Sequence, residues 1–340
     1  MVCKRSTEDR SEEGMMRAVV LHEFGPAENL RYETWPDPVA GPGQVRIAVR
    51  AAGAHFVETV MRAGEASDKA PPLPELPAVL GGEVAGVVDA VGPGVDASWL
   101  GRPVVTSHGA PGGYADLAVA AVDELHAVPD GLGFEDAVTM VMTGATTMGL
   151  LGVARLRPDD VVLVTSAAGG VGRLVVQYAH AIGATVVGAA GGPGKVDAVR
   201  ALGADVAVDY NVPGWADSVR ERLGGRPVTA VLDGVGGEKA AAAFELIGRG
   251  GRYVVIGWSS QEAFEPTPQV LAGRGISYAN ALMELIGHPE ERPAREREAL
   301  EAAAKGELVP SWQAFPLARA AQAHAAMERR ETTGKVVLVP

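Results

Sequence analysis

The chain has 340 residues, 47% hydrophobic and 21% charged, with a formal net charge of −12. That is enough chain for two globular domains and ample core. The acidic balance argues against nucleic acid or an anionic membrane as a partner and leaves a small molecule. A single cysteine, Cys3, excludes a disulfide framework within the chain and a cysteine-built zinc site, which points to the cytoplasm.

Residues 1–14 (MVCKRSTEDRSEEG) are polar, without the apolar core of a signal peptide, and are predicted to be a disordered tail. From Met16 to about Pro129, Val-rich runs such as RAVVLHEF, QVRIAVRAAG and EVAGVVDAVG alternate with Gly and Pro breaks, the pattern of an irregular β region. The Pro-rich stretch Glu65–Pro77 is expected to be a loop lining an entrance. The stretch from Ala137 to Ala154 carries no charge, but its four Thr and three Gly favour a buried junction helix over a membrane span.

From Glu135 onward strands and helices alternate. The runs VVLVT, TVVGAA, DVAVDY, TAVLDGV and RYVVIGW are apolar strands separated by helical segments such as RLVVQYAHAIGA and KVDAVRALGA. Continuously apolar strands spaced by helices predict a parallel sheet covered on both faces, a doubly wound α/β dinucleotide fold. After about Asn280 the chain becomes helical and charged, and it ends in the strand KVVLV.

Between the first of these strands and its helix lies Ser166-Ala167-Ala168-Gly169-Gly170-Val171-Gly172. Small residues here permit a tight turn and let backbone approach a pyrophosphate, while the helix N-terminus supplies N–H donors and a favourable dipole. Ser166 stands where a strict GxGxxG has glycine. The second strand ends in Ala190-Gly191-Gly192-Pro193-Gly194-Lys195, where NAD enzymes place a carboxylate on the ribose. Small residues and Lys195 instead favour a 2′-phosphate, and therefore NADPH. A lysine in a helix's first turn opposes the helix dipole unless something offsets it.

The segments TSAAGGVGRLVVQYAHAIGA, ALGADVAVDY, GGRYVVIG, TTGKVVLVP, HFVETVMRAG and LGGEVAGVVDAVG together resemble the quinone oxidoreductases of the medium-chain dehydrogenase/reductase superfamily, in order from about Met16 to Pro340. The resemblance implies a GroES-like β domain (residues 15–138 and 280–340) into which the dinucleotide domain (139–279) is inserted, and a homodimer paired through the edge strand SYANAL. It implies Gly170 and Val171 on the pyrophosphate and Gly191 and Lys195 at the ribose phosphate. Tyr210 and Arg330 would hold the 2′-phosphate, with Thr146 near the nicotinamide. Val235, Gly257 and Trp258 would lie along the cofactor at strand ends. Zinc members of the superfamily carry Cys where this chain has Ala54-His55-Phe56 and His where it has Gly82, and the four-Cys zinc lobe is missing. A zinc-independent enzyme is therefore expected, with Glu83 retained as a structural carboxylate.

The family's Asn-Phe-x-Asp motif with a following Tyr becomes His55-Phe56-Val57-Glu58, with Val60 for the Tyr. His55 is a candidate catalytic residue, able to hydrogen-bond ribose or a carbonyl or to deliver a proton near neutrality. Three functions fit these residues: hydride transfer from NADPH to a quinone or related conjugated carbonyl, reduction of an enone or enoyl double bond, and NADPH binding without catalysis.

Overall fold

A computed structural model describes residues 14–65, 72–110 and 112–340; the expected tail and much of the Pro-rich loop lie outside the described residues. The chain divides into two compact units, residues 1–138 with 312–340, and residues 139–311.

In the first unit, β1 (Met15–Leu21) pairs antiparallel with β2 (Leu30–Pro36) from Met15↔Pro36 to Leu21↔Leu30. The backbone of the sheet beside them is β3 (Gln44–Ala54), whose Val45, Ile47 and Val49 alternate into the core before Ala51–Ala54 are buried continuously. The alternation marks a strand with one face in the core; the alanine run marks burial on both faces.

Helix α1 (Phe56–Ala63) follows at once. His55 is its extended N-cap, its N–H donating to the Glu58 carboxylate at 2.7 Å, and Gly64 closes the helix at φ 81°. This helix departs from the expected all-β run. His55 is not a standard capping residue, and Thr59 and Val60 are β-formers, so the local sequence hid it.

Strands β4 (Ala78–Val79), β5 (Val84–Val91), β6 (Pro103–Thr106), β7 (Leu117–Ala121) and β8 (His126–Ala127) complete the N-terminal part, and α2 (Phe134–Thr139) leads out.

Helix α2 continues through a π-helical turn, Met140–Gly144, into α3 (Ala145–Ala154). The whole run is long and apolar enough to cross a membrane, but 67% of its most apolar window is buried inside the protein, as expected of a core helix.

Six parallel strands then alternate with helices: β9 (Val161–Val164), α4 (Gly170–Ala181), β10 (Thr185–Ala190), α5 (Pro193–Ala201), β11 (Val206–Asp209), α6 (Trp215–Arg222), β12 (Val228–Asp233), α7 (Gly237–Phe244), β13 (Ile247–Val255), α8 (Pro268–Arg274) and β14 (Ser277–Asn280). Their spatial order is β11-β10-β9-β12-β13-β14, the doubly wound order whose reversal lies beside β9. Every residue of β9 is buried, because helices cover both faces of the sheet. β14, containing the SYAN of SYANAL, is one of the two edge strands, β11 being the other.

The chain leaves this unit later than the sequence reading puts it. Residues 280–311, including α9 (Ala281–Gly287) and α10 (Arg292–Ala304), belong to the second unit rather than to the GroES-like one. Their small apolar faces pack on α3 and the π turn: Ala299, Leu300 and Ala302 are buried, and a Cβ on Gly144 would stand 2.9 Å from that of Ala299. A charged surface on α10 concealed this narrow inner face in the sequence.

Finally β15 (Trp312–Pro316), α11 (Ala320–Glu328) and β16 (Lys335–Val339) return to the first unit, where β16 pairs antiparallel with β3. The sheet order there is β15-β16-β3-β5-β6-β8, with β7 also on β3.

Candidate active site

The phosphate loop is built by close packing. Ser166 adopts the left-handed conformation (φ 54°), its carbonyl accepts from Gly169 N–H, and Ala167 N–H bonds to Ala189 of β10. A Cβ on Gly172 would lie 2.3 Å from Ser166 O and 2.9 Å from Ala167 Cα, so only glycine lets α4 start against the loop. Gly169 caps α4 with no side chain, and the first-turn N–H groups at Gly170, Val171 and Gly172 have no intrahelical acceptors. This is an anion cradle that fits a pyrophosphate.

At the next strand ends, Gly191 follows β10 and Tyr210 follows β11, joined by Tyr210 N–H to Ala190 O. A Cβ at Gly191 would come within 3.2 Å of Tyr210 Cε2, so the glycine keeps the tyrosine's edge open. Lys195 sits half-buried in the first turn of α5. The structure thus brings Gly191 and Tyr210 together and puts Lys195 on the adjoining helix.

The carboxyl end of β12 is anchored by a residue that motif reading missed. Buried Asp233 accepts from Thr165 Oγ1 (2.6 Å), Tyr253 Oη (2.9 Å), Val235 N–H (3.2 Å) and Gly236 N–H (3.1 Å). It ties the ends of β9, β12 and β13 together and sets the loop carrying Val235. Its main-chain oxygen also accepts from Ile256 and Gly257 N–H, which places Gly257 and half-buried Trp258 beside that loop. Burial and the Asp233 charge push the Tyr253 hydroxyl well above its usual range, so it remains a donor. Thr146, half-buried, lies in the first turn of α3, just past the π turn.

In the first unit, His55 Nε2 lies 2.9 Å from both Glu83 Oε2 and Lys335 Nζ, and Lys335 Nζ lies 2.5 Å from Glu83 Oε2. Glu83 and Lys335 are both buried, whereas the His55 side chain keeps 29% of its surface exposed. Burial pushes the Glu83 carboxyl up, and the attraction and hydrogen bonding of His55 and Lys335 outweigh it, holding the group below the ordinary carboxylate range. The pair passes over Gly53, where a Cβ would stand 1.9 Å from Glu83 Oε2 and 3.0 Å from Lys335 Cε. Neither Lys335 nor Gly53 stood out in the sequence, because a lysine opening a strand carries no signal of burial.

His55 is positioned by a second polar chain. Glu58, which accepts its N–H, also accepts from Tyr114 Oη at 2.7 Å, and Tyr114 Oη lies 3.0 Å from His324 Nε2. Burial, with the nearby Arg62 charge, pushes His324 down to about 3, so this ring is neutral. Because the phenol donates to Glu58, its oxygen accepts from His324, which puts the imidazole proton on Nε2. Arg62, fully buried, donates to Gly25 O at 2.6 Å and pairs with Glu328. Arg330, itself left-handed at φ 58°, places its guanidinium over the Phe56 ring, 4.0 Å from the centroid.

The resemblance puts catalytic-zinc ligands of the superfamily's zinc members at Ala54 and Gly82. Ala54 and Gly82 offer no ligand atom, and the Lys335 ammonium already lies against Glu83. Among the described residues, the His/Cys/Asp/Glu group with metal-like spacing is His288, Glu290 and Glu291, all exposed.

Comparison with known proteins gives the family. Residues 41–130 match the alcohol dehydrogenase GroES-like domain, and residues 170–301 match the zinc-binding dehydrogenase family. A quinone oxidoreductase of Pseudomonas aeruginosa is 32% identical over 330 residues, spanning 96% of this chain and 100% of the relative. The chain belongs to the quinone oxidoreductases of the medium-chain dehydrogenase/reductase superfamily. A 2-haloacrylate reductase of Burkholderia is also 32% identical, over 334 residues, covering 96% of this chain and 99% of its own. The crystal structure of Escherichia coli quinone oxidoreductase complexed with NADPH superposes with a TM-score of 0.83 at 28% identity, covering 95% of this chain and all of that one. A mycobacterial structure complexed with NADPH gives a TM-score of 0.82 at 33% identity, covering 96% and 100%.

Proposed function

We propose that this protein is a zinc-independent, NADPH-dependent reductase that transfers hydride to a quinone or a related conjugated carbonyl. The observation that carries the cofactor is the end of β10: no carboxylate stands there, and Gly191 opens onto Tyr210 with Lys195 on the adjoining helix. Relatives whose structures hold NADPH support the same choice. Independence from zinc rests on Ala54, Gly82 and the ammonium of Lys335 against Glu83.

NADPH, when bound, supplies the hydride. The protein's own residues do the rest. Gly169, Gly170, Val171 and Gly172 would hold the pyrophosphate through N–H groups, and Gly191, Lys195 and Tyr210 would hold the adenosine phosphate. Thr146, Val235, Gly257 and Trp258 orient the nicotinamide half, a contribution of position rather than of covalent chemistry. His55, fixed by Glu58 at its N–H and by Lys335 and Glu83 at Nε2, would be the polar side chain offered to the acceptor. Purified protein mixed with NADPH and a panel of quinones, enones and 2-haloacrylates should consume NADPH, fastest with quinones. Tight NADPH binding with no turnover on any acceptor would mark a non-catalytic binder and overturn the proposal.

The second reading, reduction of a conjugated carbon–carbon double bond, draws on the 2-haloacrylate reductase relative and on His55 as an acid where the family motif has Asn. Faster turnover of haloacrylates or enones than of quinones would select it. We further infer a cytoplasmic homodimer paired through β14, an edge strand of the sheet, with neither nucleic acid nor membrane as partner at net charge −12. Light scattering of the purified protein at twice the chain mass is the expected result.

A further inference from the structure

We propose that Lys239 is a specificity-determining residue for the 2′-phosphate of the cofactor, a further cation that acts both directly on that phosphate and through Tyr210. This rests on the NADPH reading above and adds a residue that lies outside every motif the sequence offered.

Lys239 is the third residue of α7, directly after the loop that Asp233 anchors. A cation in a helix's first turn opposes the helix dipole, so its placement there calls for an offsetting anion or acceptor. Lys195 occupies the same third position of α5, so two helices of the sheet, α5 and α7, open with the same unfavourable charge. The Lys239 ammonium stands 4.2 Å from the centroid of the Tyr210 ring and donates to Asn211 Oδ1 at 2.7 Å. Asn211 in turn is held by its own N–H to Asp209 Oδ1 at 2.9 Å. A Cβ on Gly191 would touch both members of this group, 2.9 Å from Asn211 Nδ2 and 3.2 Å from Tyr210 Cε2. Gly191, Tyr210, Asn211 and Lys239 are therefore one contiguous patch at the carboxyl ends of β10 and β11, where a doubly wound sheet binds its nucleotide.

The chemistry of the patch selects a phosphomonoester. A cation on one face of a phenol polarises the ring and strengthens its hydroxyl as a donor, and a dianionic phosphate is the ligand that gains from both the donor and the charge. A ribose hydroxyl can accept one hydrogen bond but carries no charge to meet the ammonium. The facing carboxylates are Asp209, engaged by Asn211, and the neighbouring exposed Glu238.

The test compares dissociation constants for NADPH and NADH, and for adenosine 2′,5′-bisphosphate and AMP, in the wild type, Lys239→Gln and Lys239→Arg. Lys239→Gln should weaken NADPH and the bisphosphate about tenfold, leave NADH and AMP within about twofold, and flatten the salt dependence of NADPH binding. Lys239→Arg should restore most of the loss. Equal weakening of the phosphorylated and unphosphorylated ligands would mean a structural role and overturn the inference, as would an unchanged NADPH-to-NADH ratio. A wild type that binds NADPH and NADH equally would overturn the cofactor reading, and this inference with it.

Discussion

Lys335→Met tests the buried cluster beside His55 most sharply. The substitution keeps much of the side-chain volume and removes the ammonium that lies 2.5 Å from Glu83, a carboxylate with 2% of its side chain exposed. Breaking one partner of a buried ion pair costs about 3–5 kcal/mol, because the remaining charge is stranded. The pH dependence gives the sign. In the wild type Glu83 titrates below its ordinary value, so its contribution is present above the unfolded carboxylate value of about 4.3 and is lost as pH falls through the folded one. Without Lys335 only His55 opposes burial, and we expect burial to dominate and the folded value to rise above the unfolded one. The variant's Glu83 term is then fully present below about pH 4.3 and is lost as pH rises through the new folded value. Urea unfolding followed by circular dichroism should show the full deficit at pH 7.5 and a smaller one at pH 5. Lys335→Met combined with Glu83→Gln should recover most of it. A deficit below about 1 kcal/mol at pH 7.5, less than a buried pair requires, would refute the reasoning, as would a double variant no more stable than the single one.

Gly172→Ala drives a methyl group to 2.3 Å from Ser166 O, backbone that cannot swing aside; we expect a stability cost of about 1–3 kcal/mol and at least about tenfold weaker NADPH binding by titration. His324, held near 3 in the folded state, binds a proton only on unfolding, so wild-type stability should fall as pH drops from about 6.5 toward 3, by up to about 1.4 kcal/mol per unit from this group. His324→Gln should flatten that limb in urea titrations across the same range. His55→Asn restores the amide of the family motif; quinone turnover should stay within about threefold, while any double-bond reduction that uses His55 as acid should drop about a hundredfold.

What the sequence disclosed was local. The strand VVLVT, the small-residue turn and the apolar helix after it are contiguous, so the phosphate loop could be read from one stretch of about twenty residues. The same holds for five of the six parallel strands; the sixth, β14, entered only through the family resemblance. What stayed hidden was made by distant pairs: Lys335 meets His55 across 280 positions, and Tyr114 meets His324 across 210. Asp233 looked like an ordinary strand-end aspartate, although four donors converge on its carboxylate. Composition cannot flag such residues, because a buried, satisfied charge and a solvated one are the same letter. The boundary at 280 failed for a related reason: α10 exposes charge along most of its length, and only the small residues packed on α3 reveal where it belongs.

The strand β16 carries a consequence for how the molecule is made. Its Val336–Leu338 pair with Ala52–Ala54 at the end of β3, and Lys335 covers the Glu83 carboxylate. A ribosome finishes the second unit, one unbroken stretch from 139 to 311, before either of these partners exists. Until the final segment emerges, β3 has an unpaired edge and Glu83 lacks its cation. The first half of the nascent chain is therefore the last part to mature. A premature stop that deletes only β16 should leave the nucleotide unit folded and abandon the other with an open strand edge, a known nucleus for aggregation.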